Sequence, residues 1–154
     1  MKQLCKILFI SILAISISGC KKKTNCDAPT TTAPASEVTT LANYISSNSI
    51  SAVKDNRGFY YNIQSAGGDK PDACSTVRVN YSGALTNGSV FDSANDVSFP
   101  LANLIVGWQQ GIPLVGKGGK IILYLPPSLG YGSNAQSGIP ANSILIFTIE
   151  LLSF

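Results

Sequence analysis

The stretch from residue 77 to residue 112 constrains the fold more than any other part of the chain. It reads VRVNYSGALTNGSVFDSANDVSFPLANLIVGWQQGI. Apolar or small residues alternate with polar ones from Val77 to Leu85, which is the period of a half-buried strand. Asn87-Gly88 then favours a tight turn with two positive-φ residues. These features predict a hairpin whose return strand runs from Ser89 to Asp92, followed by a short loop and a short apolar helix at Trp108.

An acid stands beside an aromatic residue in the return strand. Asp92 follows Phe91, and a carboxylate on an aromatic surface is costly unless it is hydrogen-bonded. The hydroxyl of Tyr81 is a suitable partner, and the alternative is an exposed turn aspartate. Trp108 is the only tryptophan in the chain, and taken alone it favours an ordinary core residue. It gains interest because Tyr81, Phe91 and Asp92 can meet it on the concave face of a curved sheet.

The remaining segments predict one antiparallel domain of the α+β class. Apolar residues recur at helical spacing from Ser36, a suitable N-cap, to Ser47. The connection at residues 128–140 is long and rich in Gly and Ser, yet it carries Tyr131 and Ile139, and such loops are often functional. Strands dominate the rest, which favours the α+β class. Three further strands are predicted at residues 58–64, 120–125 and 143–154.

The N-terminus has the layout of a bacterial export signal. Residues 1–19 combine a basic start with an apolar run that is too short to span a bilayer comfortably. The sequence ISGC, which ends at Cys20, resembles a lipobox, in which the cysteine is lipidated with acyl chains such as palmitate. The alternative is an ordinary signal peptide with an incidental cysteine. The three lysines at 21–23 are either a membrane-surface contact or a solvated charge run.

We therefore divide the chain into four parts. Residues 1–19 are the lipoprotein signal peptide, 20–35 a lipid-anchored tether, 36–57 an N-terminal helix with its lead-in, and 58–154 the main domain. The tether is rich in Thr, Pro and Ala and lacks periodicity, so we expect it to be unpacked. The expected location is the bacterial cell envelope, in the outer membrane and facing the periplasm, because Lys21 replaces the aspartate that signals inner-membrane retention in enteric bacteria.

Charge and composition exclude several classes of function. From residue 24 onward the chain has six basic and eight acidic residues, so nucleic-acid binding through a basic face is not expected. The chain has no histidine, which removes the Ser-His and Cys-His nucleophile pairs and most zinc sites. The GKGGK sequence at 116–120 lacks the spacing of a phosphate-binding loop. We predict neither a metal nor a cofactor.

Four cysteines leave one pair for a bridge. Cys5 is removed with the signal and Cys20 is lipidated, so Cys26 and Cys74 remain. In an oxidising envelope these two thiols either form a disulfide that pins the tether to the domain or stay independent.

Five segments, in this order, resemble an FKBP-type peptidyl-prolyl cis-trans isomerase. They are VNYSG, NGSVFDS, LIVGWQQGI, GKGGKIILYLPPSLGYG and GIPANSILIFTIELL. The resemblance covers residues 58–154. It implies an FKBP-like α+β fold, in which a curved, five- to six-stranded antiparallel sheet wraps over a short helix and leaves an apolar pocket between them.

The resemblance also implies which residues form the site. Trp108 would be the pocket floor, and Asp92 a buried acid paired with Tyr81. The hydroxyl of Tyr131 and the backbone N–H of Ile139 would donate hydrogen bonds to substrate carbonyls. The implied catalytic residues are Tyr81, Phe91, Asp92, Trp108, Tyr131 and Phe147, and the implied substrate-binding residues are Phe99, Leu104, Ile105 and Ile139. Phe99 is the counterpart of an aromatic residue next to one wall position, and Val97 is the alternative residue at that position itself.

The implied activity is the cis-trans isomerisation of Xaa-Pro bonds during the folding of exported proteins, by a non-covalent mechanism. The expected partners are proline-containing polypeptides, macrolide inhibitors of the FK506 type, and a membrane that is reached through the lipid anchor. The alternative is a non-catalytic chaperone, a holdase, that grasps polypeptides with the same groove.

Overall fold

The computed structural model describes residues 27–154. The predicted signal peptide, the lipidation site Cys20 and the predicted bridge partner Cys26 lie outside the described residues. No helix in the described part is both long and apolar enough to cross a membrane. The elements are α1 (Ala35–Ser47), β1 (Val53–Lys54), β2 (Tyr60–Ser65), β3 (Thr76–Leu85), β4 (Val90–Pro100), α2 (Val106–Gly111), β5 (Lys120–Leu125) and β6 (Leu145–Ser153), with short 3-10 turns at Leu101–Asn103, Ile112–Leu114 and Pro127–Leu129.

Six strands form one antiparallel sheet in the order β1-β2-β5-β6-β3-β4. Because side chains alternate across a strand, β5 and β6 supply apolar residues to both faces of the sheet. Leu123 and Phe147 belong to the core on the face that carries α2, whereas Tyr124 and Ile146 pack with α1 on the other face. The predicted α+β class and curved antiparallel sheet are confirmed.

The hairpin between β3 and β4 has a different turn from the predicted one. Only Gly88 has a positive φ, of 84°. The N–H of Leu85 donates to the carbonyl of Ser89 at 2.9 Å, which leaves a three-residue loop. Such loops combine a type I turn with one left-handed residue. The prediction of two positive-φ residues is therefore wrong, because the loop has three residues rather than two.

Strand β4 continues to Pro100 and does not end at Asp92. Its pairing with β3 shifts register between Val79 and Tyr81, so the alternation in the sequence is interrupted although the strand is not. Asp96 takes a left-handed φ of 56° at this irregularity. The predicted short strand and loop are wrong for this reason, since a bulge breaks the period on which the prediction depended.

Helix α1 begins one residue before the predicted position. Its N-cap is Pro34, and no side chain caps the helix, so the prediction that Ser36 is the N-cap is wrong. Proline fits because it needs no N–H at a helix start and has a suitable fixed φ. The buried residues Leu41 and Ile45 lie one turn apart and face the sheet.

The described part of the predicted tether, residues 27–34, packs against the domain; we call it the strap. The N–H of Ala33 donates to the carbonyl of Arg57 at 2.9 Å. The side-chain amide of Gln110 donates to the carbonyls of Pro29 and Thr31, at 2.8 Å each. The expectation of an unpacked tether is wrong here, because the strap is held through its backbone, which composition and periodicity do not reveal.

Candidate active site

Two glycines place α2 directly against the sheet. A Cβ added to Gly107 would collide with the side chain of Leu125, and one added to Gly111 with the side chain of Leu123. These glycines are four residues apart and therefore share one face of the helix. Larger residues would lift α2 off β5 and move Trp108 with it.

Trp108 is surrounded by aromatic rings. Its side chain is only 4% exposed. The rings of Tyr81, Phe147 and Phe99 meet the indole edge-on, with centroid distances of 5.1, 5.3 and 6.3 Å. This arrangement is the favoured one for aromatic pairs, because the positive edge of one ring meets the negative face of another. The rings come from three strands and α2, so only the folded sheet brings them together.

These rings enclose a pocket of about 180 Å³. That volume is below the roughly 300–1,000 Å³ of a site for a drug-sized ligand, so the pocket fits one small apolar group. It is lined by eight of the ten predicted site residues, namely Tyr81, Asp92, Phe99, Leu104, Ile105, Trp108, Tyr131 and Phe147.

Tyr81 and Asp92 form the predicted pair. The hydroxyl of Tyr81 donates to Oδ2 of Asp92 at 2.6 Å, a short distance that is typical of a hydrogen bond to a charged acceptor. Burial, reinforced by this hydrogen bond and by the charge of Asp92, raises the pKa of Tyr81 to about 12. Tyr81 is therefore a neutral donor at physiological pH. Asp92 itself is exposed, so the prediction of a buried acid is wrong: the carboxylate lies at the rim of the pocket, where water reaches it.

Tyr131 supplies a second hydroxyl at the rim. Its side chain is 36% exposed. Partial burial, and then the charge of Asp92, raise the pKa of Tyr131 above its usual value. Among residues 27–154 no group accepts a hydrogen bond from this hydroxyl. Tyr131 is therefore a neutral donor that is available to a ligand.

A free backbone N–H beside the pocket is that of Ile105, whereas that of the predicted donor Ile139 is already bonded. The N–H of Ile139 already donates to the carbonyl of Gln136 at 3.0 Å, and Ile139 does not line the pocket. Ile105 lines it and is the N-cap of α2. Its N–H has no partner within the described part of the chain. The signal in the sequence was the helix start, where N–H groups are left without intrahelical acceptors.

Phe91 supports the pocket without lining it. Its ring packs edge-on against Phe147, with centroids 5.6 Å apart, and Phe147 is the residue that faces the cavity. The implied role of Phe91 as a catalytic wall is therefore corrected to that of a residue behind the wall. Phe99 takes the wall position, between Tyr81 and Trp108.

Gln109 contributes to the site and was missed by the sequence analysis. Its side-chain amide donates to the carbonyl of Leu104 at 2.6 Å and to that of Ala102 at 3.3 Å. These bonds fix the segment that precedes α2 and that carries Leu104 and Ile105 into the pocket. A polar residue beside Trp108 in a short helix was the available signal, although its acceptors could not be deduced.

No group of three or more metal-ligating side chains occurs in the described residues. Cys74 is disulfide-bonded. The other cysteines of the chain all precede residue 27 and lie outside the described part, so pairing with Cys26 stays a prediction.

The comparison with known families agrees with this geometry. The sequence profile of the FKBP-type peptidyl-prolyl cis-trans isomerases matches residues 67–152. The chain belongs to this family. The match includes all eight residues that line the pocket.

Relatives and solved structures of the FKBP family extend the likeness. The chain is 52% identical over 80 residues to the FKBP-type peptidyl-prolyl cis-trans isomerase FkpA of Buchnera aphidicola (subsp. Schizaphis graminum), which covers 49% of this chain and 32% of that protein. The crystal structure of Escherichia coli FkpA is similar, with a TM-score of 0.70, 36% identity, and coverage of 77% of this chain and 59% of that one. A peptidyl-prolyl cis-trans isomerase from Pseudomonas syringae has a TM-score of 0.68 and 28% identity, with 80% and 97% covered. The chain spans 32% to 43% of the length of the first five curated relatives it matches.

Proposed function

We propose that this FKBP-family chain is a peptidyl-prolyl cis-trans isomerase that acts on Xaa-Pro bonds of exported polypeptides. The observation that carries the proposal is the pocket itself. A buried indole forms its floor, three rings meet that indole edge-on, and neutral hydrogen-bond donors stand at the rim. A pyrrolidine ring is a small apolar group with a carbonyl on either side, and this arrangement matches both features.

The chemistry follows from the electronic structure of the amide. Rotation about a peptide bond has a barrier of about 18–20 kcal/mol because it breaks the resonance of the amide. Uncatalysed Xaa-Pro exchange therefore takes roughly tens to hundreds of seconds. The planar amide is more charge-separated than the twisted one, and water stabilises it. A dry aromatic pocket around Trp108 removes that water and so disfavours the planar state relative to the twisted state.

The donors at the rim hold the polypeptide in a shape that accompanies the twist. Tyr131 offers its hydroxyl and Ile105 its backbone N–H, and each can bind a carbonyl beside the proline. Such bonds accelerate the reaction to the extent that they are stronger in the twisted state than in the planar state. Asp92 accepts the hydrogen bond of Tyr81 and thereby fixes the ring that stands against Trp108. The reaction breaks no covalent bond, so it requires no nucleophile.

An isomerisation assay on an Xaa-Pro peptide tests the proposal. Wild-type protein should accelerate exchange and Trp108→Ala should not. The holdase alternative predicts that the wild type does not accelerate exchange. It predicts instead that the wild type suppresses the aggregation of an unfolded client, and that Trp108→Ala loses this suppression. The free donors of Tyr131 and Ile105 favour the enzyme, because grasping an apolar segment does not require them.

We propose macrolides of the FK506 type as inhibitors that enter the same pocket. A cavity of about 180 Å³ admits only one ring of such a molecule, so most of a macrolide would lie across the rim. Binding should quench or shift the fluorescence of Trp108, the single tryptophan, and should compete with the peptide substrate. Binding that leaves isomerisation unaffected would place the macrolide elsewhere.

We propose that the protein is lipidated at Cys20 and anchored in the outer membrane, facing the periplasm. The sequence of residues 1–23, with its basic start, short apolar run and ISGC ending at Cys20, supports this proposal. Cells that express the wild type should incorporate labelled palmitate into the protein. Cys20→Ser should abolish the label and move the protein to the soluble periplasmic fraction. A soluble, unlabelled wild type would contradict the anchor.

A further inference from the structure

Gln110 is the only buried polar or charged residue among residues 27–154, at 1% exposure. Its Nε2 donates to the carbonyls of Pro29 and Thr31, which precede it by 81 and 79 residues. Its Oε1 is buried and has no hydrogen-bond partner in the described part of the chain. A buried amide with one unsatisfied atom destabilises a core. Among the residues that the structure describes, the two bonds to the strap are the only hydrogen bonds that the side chain of Gln110 makes.

The position of Gln110 on α2 is opposite to that of Trp108. Residues two apart in an α-helix point about 200° away from each other. Trp108 faces the pocket, Gly107 and Gly111 lie on β5, and Gln110 faces the strap. Helix α2 has six residues, too few to be stable by itself. Its position is therefore set by the groups that pack around it, and the strap is one of them.

The strap has a second attachment beside the first. The backbone N–H of Ala33 donates a hydrogen bond to the carbonyl of Arg57 at 2.9 Å. The guanidinium of Arg57 is bound by both carboxylate oxygens of Asp55, at 2.7 and 2.9 Å, and lies 5.2 Å from the ring centroid of Phe59. Its Nη2 also reaches the carbonyl of Gln110 at 3.4 Å. Arg57 thus contacts the strap through its backbone and α2 through its side chain.

We propose that Gln110 is a positioning residue for the isomerisation, because it fastens the strap to α2 and thereby holds Trp108 at the floor of the pocket. This inference rests on the proposed isomerase function. It makes the segment between the domain and the predicted lipid anchor a part of the catalytic apparatus. Releasing the strap should loosen the pocket without removing any group that touches the substrate.

Gln110→Leu in the full chain tests the attachment. Leucine keeps the apolar volume but cannot donate to Pro29 or Thr31. The strap should become sensitive to limited proteolysis, and the emission of Trp108 should shift to longer wavelength as water reaches the indole. The kcat/KM of the folded protein should fall roughly five- to tenfold, because small misplacements of a catalytic group are costly. The fall should appear chiefly in kcat.

In the Gln110→Glu variant, the attachment of the strap to α2 should depend on pH. A protonated carboxyl can donate a hydrogen bond to a carbonyl of the strap, whereas a carboxylate can only accept. Burial raises the pKa of a carboxyl. The emission of Trp108 and the kcat/KM should therefore be close to wild type at pH 5 and close to Gln110→Leu at pH 8. The wild type should be nearly flat over this range, because the chain has no histidine.

Asn62→Leu is the matched control. Asn62 donates its side-chain amide to the carbonyl of Ser51 at 2.6 Å, so the substitution removes the same kind of bond outside the pocket. It should leave Trp108 emission and kcat/KM unchanged. The proposal is overturned if Gln110→Leu behaves like Asn62→Leu, if the strap stays protected in Gln110→Leu, or if the strap is released without any change at Trp108. An inactive wild type would refute the proposed function and with it the catalytic role of Gln110, whereas proteolysis and fluorescence would still show whether Gln110 fastens the strap to α2 and holds Trp108.

Discussion

The two faces of the sheet are built from the same strands but differ in the helix that packs on each of them. On one face α1 lays Leu41 and Ile45, one turn apart, against Tyr124 and its neighbours. On the other face α2 approaches through glycines and leaves a cavity between Trp108 and the surrounding rings. The comparison teaches that the helix decides where the aromatic pocket forms: a 13-residue helix lays aliphatic side chains on one face, whereas a six-residue helix leaves room for a small apolar group among the rings of the other.

The largest expected effect comes from truncating one buried side chain on each face of the sheet and comparing the losses of stability and activity. Trp108→Ala should lower the stability by about 3–5 kcal/mol and Leu41→Ala by about 2–5 kcal/mol, because each empties a buried site. Only Trp108→Ala should also lower the kcat/KM of the folded protein, by roughly a hundredfold or about 2.7 kcal/mol of transition-state stabilisation. Urea unfolding and the isomerisation assay measure both quantities. Equal losses of kcat/KM in the two variants would contradict the assignment of the active site to the face that carries α2.

A smaller effect is expected at the rim. Asp92→Ala should lower kcat/KM by roughly tenfold, or about 1.4 kcal/mol, because the ring of Tyr81 loses the acceptor that fixes it. Stability should change little, since Asp92 is exposed. The measurement is the isomerisation rate at a temperature at which both proteins are folded. An unchanged rate would remove Asp92 from the site.

Tyr131→Phe and Tyr124→Phe compare one phenol on each face. Tyr131→Phe keeps the ring but removes a free donor, so kcat/KM should fall by roughly three- to fivefold, the value of one modest hydrogen bond. Tyr124 lies in the core under α1, and its substitution should leave kcat/KM unchanged. If both variants retain full activity, the hydroxyl of Tyr131 does not bind the substrate.

The last expected effect is a pH dependence of the stability in alkali. Tyr81 has a pKa of about 12 in the folded chain, chiefly because it is buried, and about 10 in an unfolded one. The stability that this difference contributes is fully present below pH 10 and is lost as the pH rises through 12. Burial raises the pKa of Tyr131 and of Tyr124 as well, so both contribute with the same sign. Unfolding followed from pH 9 to pH 12 should show a shallower loss in Tyr81→Phe than in the wild type; equal slopes would contradict the shifted pKa.

Much of the fold could be predicted because its strands keep a simple period. Strand β5 lies at the predicted residues 120–125 and β6 inside the predicted 143–154. Each failure has a local cause that the period hides. The bulge at Asp96 interrupts the period while β4 continues, the third residue of the hairpin loop changes the turn, and Pro34 rather than Ser36 is the N-cap of α1.

The site was predicted mainly through its side chains, and the errors concern the burial of Asp92, the place of Phe91 behind the wall, and the backbone donor. Tyr81, Asp92 and Trp108 are residue types whose chemistry can be read from the sequence. The assignment of a backbone donor to Ile139 instead of Ile105 could not be checked without knowing which N–H groups are already bonded. The strap docks on Gln110 through backbone carbonyls. Every residue has a backbone carbonyl, so the residue types of the strap do not reveal this contact.

By itself the sequence determined the class of the fold, the membership of the FKBP family and the aromatic and acidic groups of the pocket, because these depend on alternation and on residue chemistry. Only the tertiary structure decided which rings face the cavity, which N–H is free and which surface of α2 holds the strap. Those properties depend on distances between residues far apart in the chain, and such distances exist only after the sheet has closed around α2.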